Sequence, residues 1–116
     1  MANLIKTASK SIIVIDNYID DSVLLLLSKR NKGVDATIYT NQITQQLKLD
    51  VKRFNSQFEP IEIKTFSKSH DRFIIIDHNT VFHIGASLKD LGKKWFAFSH
   101  IKLNAKEMIK QLEKNQ

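Results

Sequence analysis

His70 and Arg72 stand two apart, just ahead of four consecutive apolar residues, Phe73 to Ile76. On a strand that spacing brings both side chains out on one face. An imidazole beside a guanidinium is chemistry suited to phosphate. The guanidinium offers a planar fork of donors to phosphoryl oxygens, and the imidazole can act as nucleophile or proton donor. The apolar run roots both groups in a rigid strand rather than a loop. Asp77, where the run ends, is placed to accept hydrogen bonds that fix the local turn. Gly85-Ala86-Ser87 lets backbone and a small hydroxyl approach a ligand closely. A His-x-Arg pair on a strand is common by itself, so its surroundings decide its meaning.

The elements that must position these groups alternate along the chain. Ala2 to Lys10 reads as a short helix packing through Leu4 and Ile5. Ser11 to Ile15 is a β-branched run, the pattern of a strand buried on both faces. Asp20 and Asp21 offer N-cap chemistry to a helix from Ser22 to Arg30, which Gly33 ends. Val34 to Thr40 alternates as a strand. Gln42 to Phe58 carries Ile43, Leu47, Val51, Phe54 and Phe58 near a helical period, and Pro60 stops it. Further strands are expected over Ile61 to Phe66, Arg72 to Ile76, Thr80 to Ile84 and Trp95 to Ile101. Asp77-His78-Asn79 makes a tight turn between the fourth and fifth, and Ala105 to Lys114 a closing helix. The order predicts an α/β fold: a mixed sheet of about six strands with helices on its faces and right-handed early crossovers.

With 116 residues, 42% of them hydrophobic, the chain suits one domain with one modest core, here 1–116. It has no cysteine, which excludes disulfides and thiolate metal sites and suits a reducing compartment. No run reaches the roughly 18 apolar residues of a membrane helix, and the N-terminus has no signal-peptide pattern. A cytoplasmic protein without a membrane role is expected. Eighteen Lys and Arg against twelve acids give a net charge of +6, which favours a polyanionic partner or a phosphate ligand. The basic residues are spread along the chain, so charge alone equally fits a merely soluble basic protein.

His70-x-Arg72-x-x-x-x-Asp77 followed by Gly85-Ala86-Ser87 resembles the signature of the phospholipase D superfamily. That signature is His-x-Lys, four residues, Asp, then about six residues and Gly-Ser-x-Asn. Ile12 to Asp20, with its Asp16-Asn17-Tyr18-Ile19-Asp20 ending, resembles the family's first strand and its continuation. The likeness runs from about Lys10 to Ile101. It implies a phospholipase D-like fold with His70, Arg72, Asp77 and Ser87 as catalytic residues. It also implies metal-independent cleavage of a phosphodiester, of nuclease type and without a cofactor. Family enzymes use two copies of the motif: one His attacks phosphorus, the other protonates the leaving oxygen, and the Lys residues stabilise the equatorial oxygens. One copy here implies a twofold homodimer. Gly85 to Phe98 further resembles bacterial, often phage-derived, proteins in which such a domain follows a KilA-N-like DNA-binding domain. On that resemblance the chain is a C-terminal part of a longer regulator-like protein.

Three departures from the family pattern leave two readings open. Arg72 stands for the family Lys, Gly85 comes one residue late, and no Glu follows in the next strand, where Asp90 would have to substitute. The domain is then either a working phosphodiesterase or a degenerate module that binds DNA or phosphate or dimerises a regulator. A purely structural scaffold is a third, blander option. Lys89, Lys93 and Lys94 suit contact with a phosphate backbone, or form a solvated face. Trp95, Phe96 and Phe98 read as core or dimer interface. His78 is expected in solvent, His83 on either a ligand face or a polar surface, and His100 as an ordinary strand residue. The parity of His70, Asp77 and His83 is poor for a metal cluster. Asp16 ends the first strand, where ligand sites of open α/β sheets lie, with turn stabilisation or capping its more conventional role.

Overall fold

A computed structural model describes residues 2–67, 72–84, 99–101 and 105–114. Its strands are β1 (Ser11–Ile15), β2 (Asp35–Thr40), β3 (Glu62–Thr65), β4 (Arg72–Ile76), β5 (Thr80–Ile84) and β6 (Ser99–Ile101). The helices are α1 (Ala2–Lys6), α2 (Asp21–Leu27), α3 (Gln45–Gln57) and α4 (Ala105–Lys114). The six strands form one mixed sheet in the order β3-β2-β1-β4-β5-β6. β1, β2 and β3 are parallel neighbours, while β1–β4, β4–β5 and β5–β6 are antiparallel. The expected α/β architecture is therefore the observed one.

The central strand explains the arrangement. Ile12, Ile13, Val14 and Ile15 are all buried, because β1 has strands on both edges and helices on both faces. Ile12 and Val14 pack with Ile38, Ile74 and Ile76 beneath Val23, Leu24 and Leu27 of α2 and Leu47, Val51 and Phe54 of α3. Ile13 and Ile15 face the other way, with Tyr39, Ile75 and Val81 under Ala105 and Leu112 of α4. Each fully buried isoleucine of this kind contributes about 1.5–3 kcal/mol.

Element ends depart from expectation where a side chain captures the backbone. α1 stops at Lys6, not Lys10, because the backbone N–H groups of Ser9, Lys10 and Ser11 donate to the Asp77 carboxylate. α2 begins one residue early on its Asp20 cap, whose carboxylate accepts from Ser22 N. It closes at Leu27 in tightened turns, and the Arg30 guanidinium takes the Leu27 carbonyl. α3 begins at Gln45 because the Thr44 hydroxyl caps Leu47 N. The expected sixth strand is described over Ser99–Ile101 alone; Trp95, Phe96 and Phe98 lie outside the described residues.

The β4–β5 turn sits on two non-glycine residues in left-handed backbone, Asp77 at φ 55° and His78 at φ 62°. Asn79 N closes it on the Ile76 carbonyl. Positive φ at both central positions matches the twist of a tight hairpin. Among the described residues, no helix is long and apolar enough to cross a membrane.

Candidate functional site

β1 and β2 run in register, Ile15 opposite Tyr39, so Asp16 and Thr40 follow as neighbours at their carboxyl ends. On the other edge of β1, Ile15 faces Phe73, which brings Asp16 beside Arg72 at the start of β4. Strand alternation turns Arg72 to the face that carries α2 and α3, and His83, paired with Phe73, to the α4 face.

Asp16 is 1% exposed and is the hub of this corner. Its Oδ1 accepts from Arg72 Nε at 2.9 Å and from the Tyr18 backbone N–H at 2.9 Å. Asp16 thus both stabilises the turn and reaches Arg72. Burial pushes its carboxyl above the usual carboxylate range, against the pull of the Tyr18 N–H and the guanidinium. Two buried polar atoms here have no hydrogen-bond partner among the described residues: Asp16 Oδ2 and Thr40 Oγ1. Unpaired groups of this kind cost free energy and collect at sites that bind or react.

Arg72 is held from two sides. Asp16 anchors Nε, and the guanidinium carbon lies 5.7 Å from the centroid of the Tyr18 ring, within cation–π reach. Its side chain keeps 18% exposure. Among the described residues its hydrogen bonding uses Nε alone, and none engages the terminal nitrogens. Tyr18 opens onto a cleft of about 430 Å³ between the β1–α2 and β2–α3 loops, which Asn17, Asp20, Asn41, Gln42 and Thr44 also line.

Asp77 lies at the other end of β4, on the order of 17 Å from Arg72 by strand rise. Its carboxylate accepts from the backbone N–H groups of Ser9 (3.0 Å), Lys10 (2.7 Å) and Ser11 (3.1 Å) and from the Ser9 hydroxyl (3.1 Å). Those donors, Lys10 N–H foremost, hold it below the usual carboxylate range. It joins the β4–β5 turn to the entry of β1, 66 to 68 residues away in the chain, whereas the turn itself is closed by Asn79 N on the Ile76 carbonyl. The structure does not bring Asp77 and Arg72 together.

His70, Ser87, Lys89, Lys93 and Lys94 lie outside the described residues, as do Gly85, Ala86 and Asp90. His78 is exposed in the turn, and the His83 ring packs 5.2 Å from Phe73. His100 stands in β6 opposite Phe82. Among the described residues no three His, Cys, Asp or Glu gather as a metal site. Sequence reasoning passed over Arg30, a buried guanidinium bonded to the carbonyls of Leu27, Val34, Glu59 and Pro60. Its place in the turns after α2, where last-turn basic residues bond carbonyls, was the available signal.

No protein-family model matches this chain, and no curated protein matches it in sequence. Solved structures do. NucT from Helicobacter pylori superposes with a TM-score of 0.59 at 13% identity, over 98% of this chain and 80% of NucT. TrmBL2, an archaeal chromatin protein whose structure shows a novel mode of DNA binding, superposes with a TM-score of 0.57 at 15% identity. That match covers 98% of this chain and 44% of TrmBL2, so the chain spans less than half the length of that protein. The fold is shared. It is one that a DNA-binding chromatin protein also uses.

Proposed function

We propose that this domain grips a nucleic-acid phosphodiester through Arg72 and cleaves it with His70 in a homodimeric, metal-independent site of phospholipase D type. The observation that carries this reading is the Arg72 fork. A buried carboxylate fixes Nε, an aromatic ring supports the guanidinium plane, and the terminal nitrogens, which no hydrogen bond among the described residues engages, are the donors for phosphoryl oxygens. His70 stands two residues earlier in the chain. Support for DNA as the polyanion comes from the net charge of +6 and from the fold shared with TrmBL2, itself a protein described by its DNA binding.

In the reaction, one His70 imidazole attacks phosphorus and the bond to the leaving oxygen breaks. His70 of the partner subunit gives that oxygen its proton. Water then attacks the phosphohistidine, passing its proton to the second imidazole and freeing the first. Arg72 stabilises charge on the equatorial oxygens, Ser87 contributes a hydroxyl, and Lys89, Lys93 and Lys94 contact the neighbouring backbone. Asp77 supports the strand from its far end.

The experiment is DNA cleavage in EDTA, single- and double-stranded, by wild type and His70→Ala. Activity confined to the wild type is expected; equal activity in both, or none in either, rejects the enzyme.

One observation favours a second reading, a binding module within a phage-derived DNA-binding regulator. Asp16 offsets the charge of Arg72 and competes with a phosphate for it. DNA affinity with a steep salt slope, indifferent to His70→Ala but weakened by Lys93→Ala and Lys94→Ala, would select that module.

A further inference from the structure

Among the described residues Tyr18 is the large hydrophobic side chain most open to solvent, at 63%. It is also shared between two features. Its ring lies under the Arg72 guanidinium, and it forms one wall of the cleft between the β1–α2 and β2–α3 loops. The remaining lining residues include Asn17, Asn41 and Gln42, which carry side-chain amides, and Asp20. At about 430 Å³ the cleft falls within the range of small-ligand sites, roughly 300–1,000 Å³. It opens beyond the carboxyl ends of two parallel strands, where ligands of open α/β sheets bind. Asp16 Oδ2 and Thr40 Oγ1, without a hydrogen-bond partner among the described residues, stand in the positions that lead directly into its two loops.

We infer that this cleft receives an unpaired nucleobase adjoining the phosphate held by Arg72, which makes the ligand a single strand. The inference rests on Arg72 as the phosphate anchor. A tyrosine ring is a stacking surface for any base, and arginine beside it adds the charge that follows the backbone. Side-chain amides present a donor and an acceptor together, the pattern that matches base edges. A duplex keeps its base faces stacked and its pairing edges occupied, so it offers this cleft no base. Tyr18 is 63% exposed beside that anchor, and the cleft it lines together with Asn41 and Gln42 is where the group attached to the phosphate would lie.

The test uses His70→Ala protein, so that the probe survives, and compares a short oligothymidylate with an abasic oligomer of equal phosphate count. An oligouridylate arm separates RNA from DNA. The base should strengthen binding by roughly 5- to 150-fold. Tyr18→Ala should erase that difference, Tyr18→Phe should keep it, and Asn41→Ala should reduce it. Arg72→Ala should weaken both oligomers alike. Equal affinity for the two oligomers, or a difference that survives Tyr18→Ala, overturns the base site while leaving the phosphate anchor standing. An abasic affinity indifferent to Arg72→Ala overturns the anchor, and the inference with it, as does failure to bind either oligomer.

Discussion

Arg72 Nε and Asp16 Oδ1 meet at 2.9 Å although 56 residues separate them in the chain. The antiparallel register of β1 and β4 makes the contact, and Asp16 has almost no access to water. The pair sets how firmly the guanidinium is aimed and couples that aim to pH.

Arg72→Ala should leave Asp16 buried without its cation. At neutral pH the cost is about 3 kcal/mol, the low end for a broken buried pair because Arg72 keeps some exposure. Burial already raises the Asp16 pKa, and loss of Arg72 removes an interaction that lowers it. A raised folded pKa means the native state holds a proton that the unfolded state has released. Stability therefore falls as pH climbs from the ordinary carboxylate range through the folded pKa. Urea midpoints at pH 4 and 7 should show the variant's deficit widening with pH, and a constant deficit would contradict the assignment.

Asp77→Ala should act with the opposite sign. Its depressed pKa gives stability that is present above the ordinary carboxylate pKa and lost as pH falls through the folded value. Four donors lose their acceptor, at a cost of about 2 kcal/mol near neutrality. Denaturation curves from pH 7 to 3 should show wild type and variant converging in acid. Because Asp77 is far from Arg72, oligonucleotide affinity at a temperature where the variant is folded should be close to wild type. A specific loss of affinity would place Asp77 in the binding machinery.

Arg30→Lys should destabilise by about 2–4 kcal/mol despite conserving charge. The planar fork reaches four carbonyls, of Leu27, Val34, Glu59 and Pro60, and an ammonium cannot follow that geometry from one position. Chemical denaturation measures it; a change below about 0.5 kcal/mol, typical of surface positions, would show that the clamp contributes little.

Much of the fold was legible because hydrophobic period reports burial directly. The run from Ser11 to Ile15 announced a strand covered on both faces, and β4, β5 and α4 lie where the periodicity put them. Helix ends were less legible. α1 was read four residues too long because the acceptor that diverts its backbone, Asp77, lies 66 or more residues away. In the site, the residue types around Arg72 spoke for phosphate, but nothing local told whether Asp16 would only cap its turn or also take the guanidinium.

The sequence by itself determined an α/β fold, its strand-forming runs, the Asp20 cap of α2 and a net positive charge, since each depends on composition or on neighbours within a turn or a strand. Only the tertiary structure decided that Asp16 binds Arg72, that Asp77 stands a strand length away at the entry of β1, and that Tyr18 joins the guanidinium to a cleft. Those relations follow from which strands pair and in which register, and pairing is settled by the packing of the whole sheet rather than by any local run of residues.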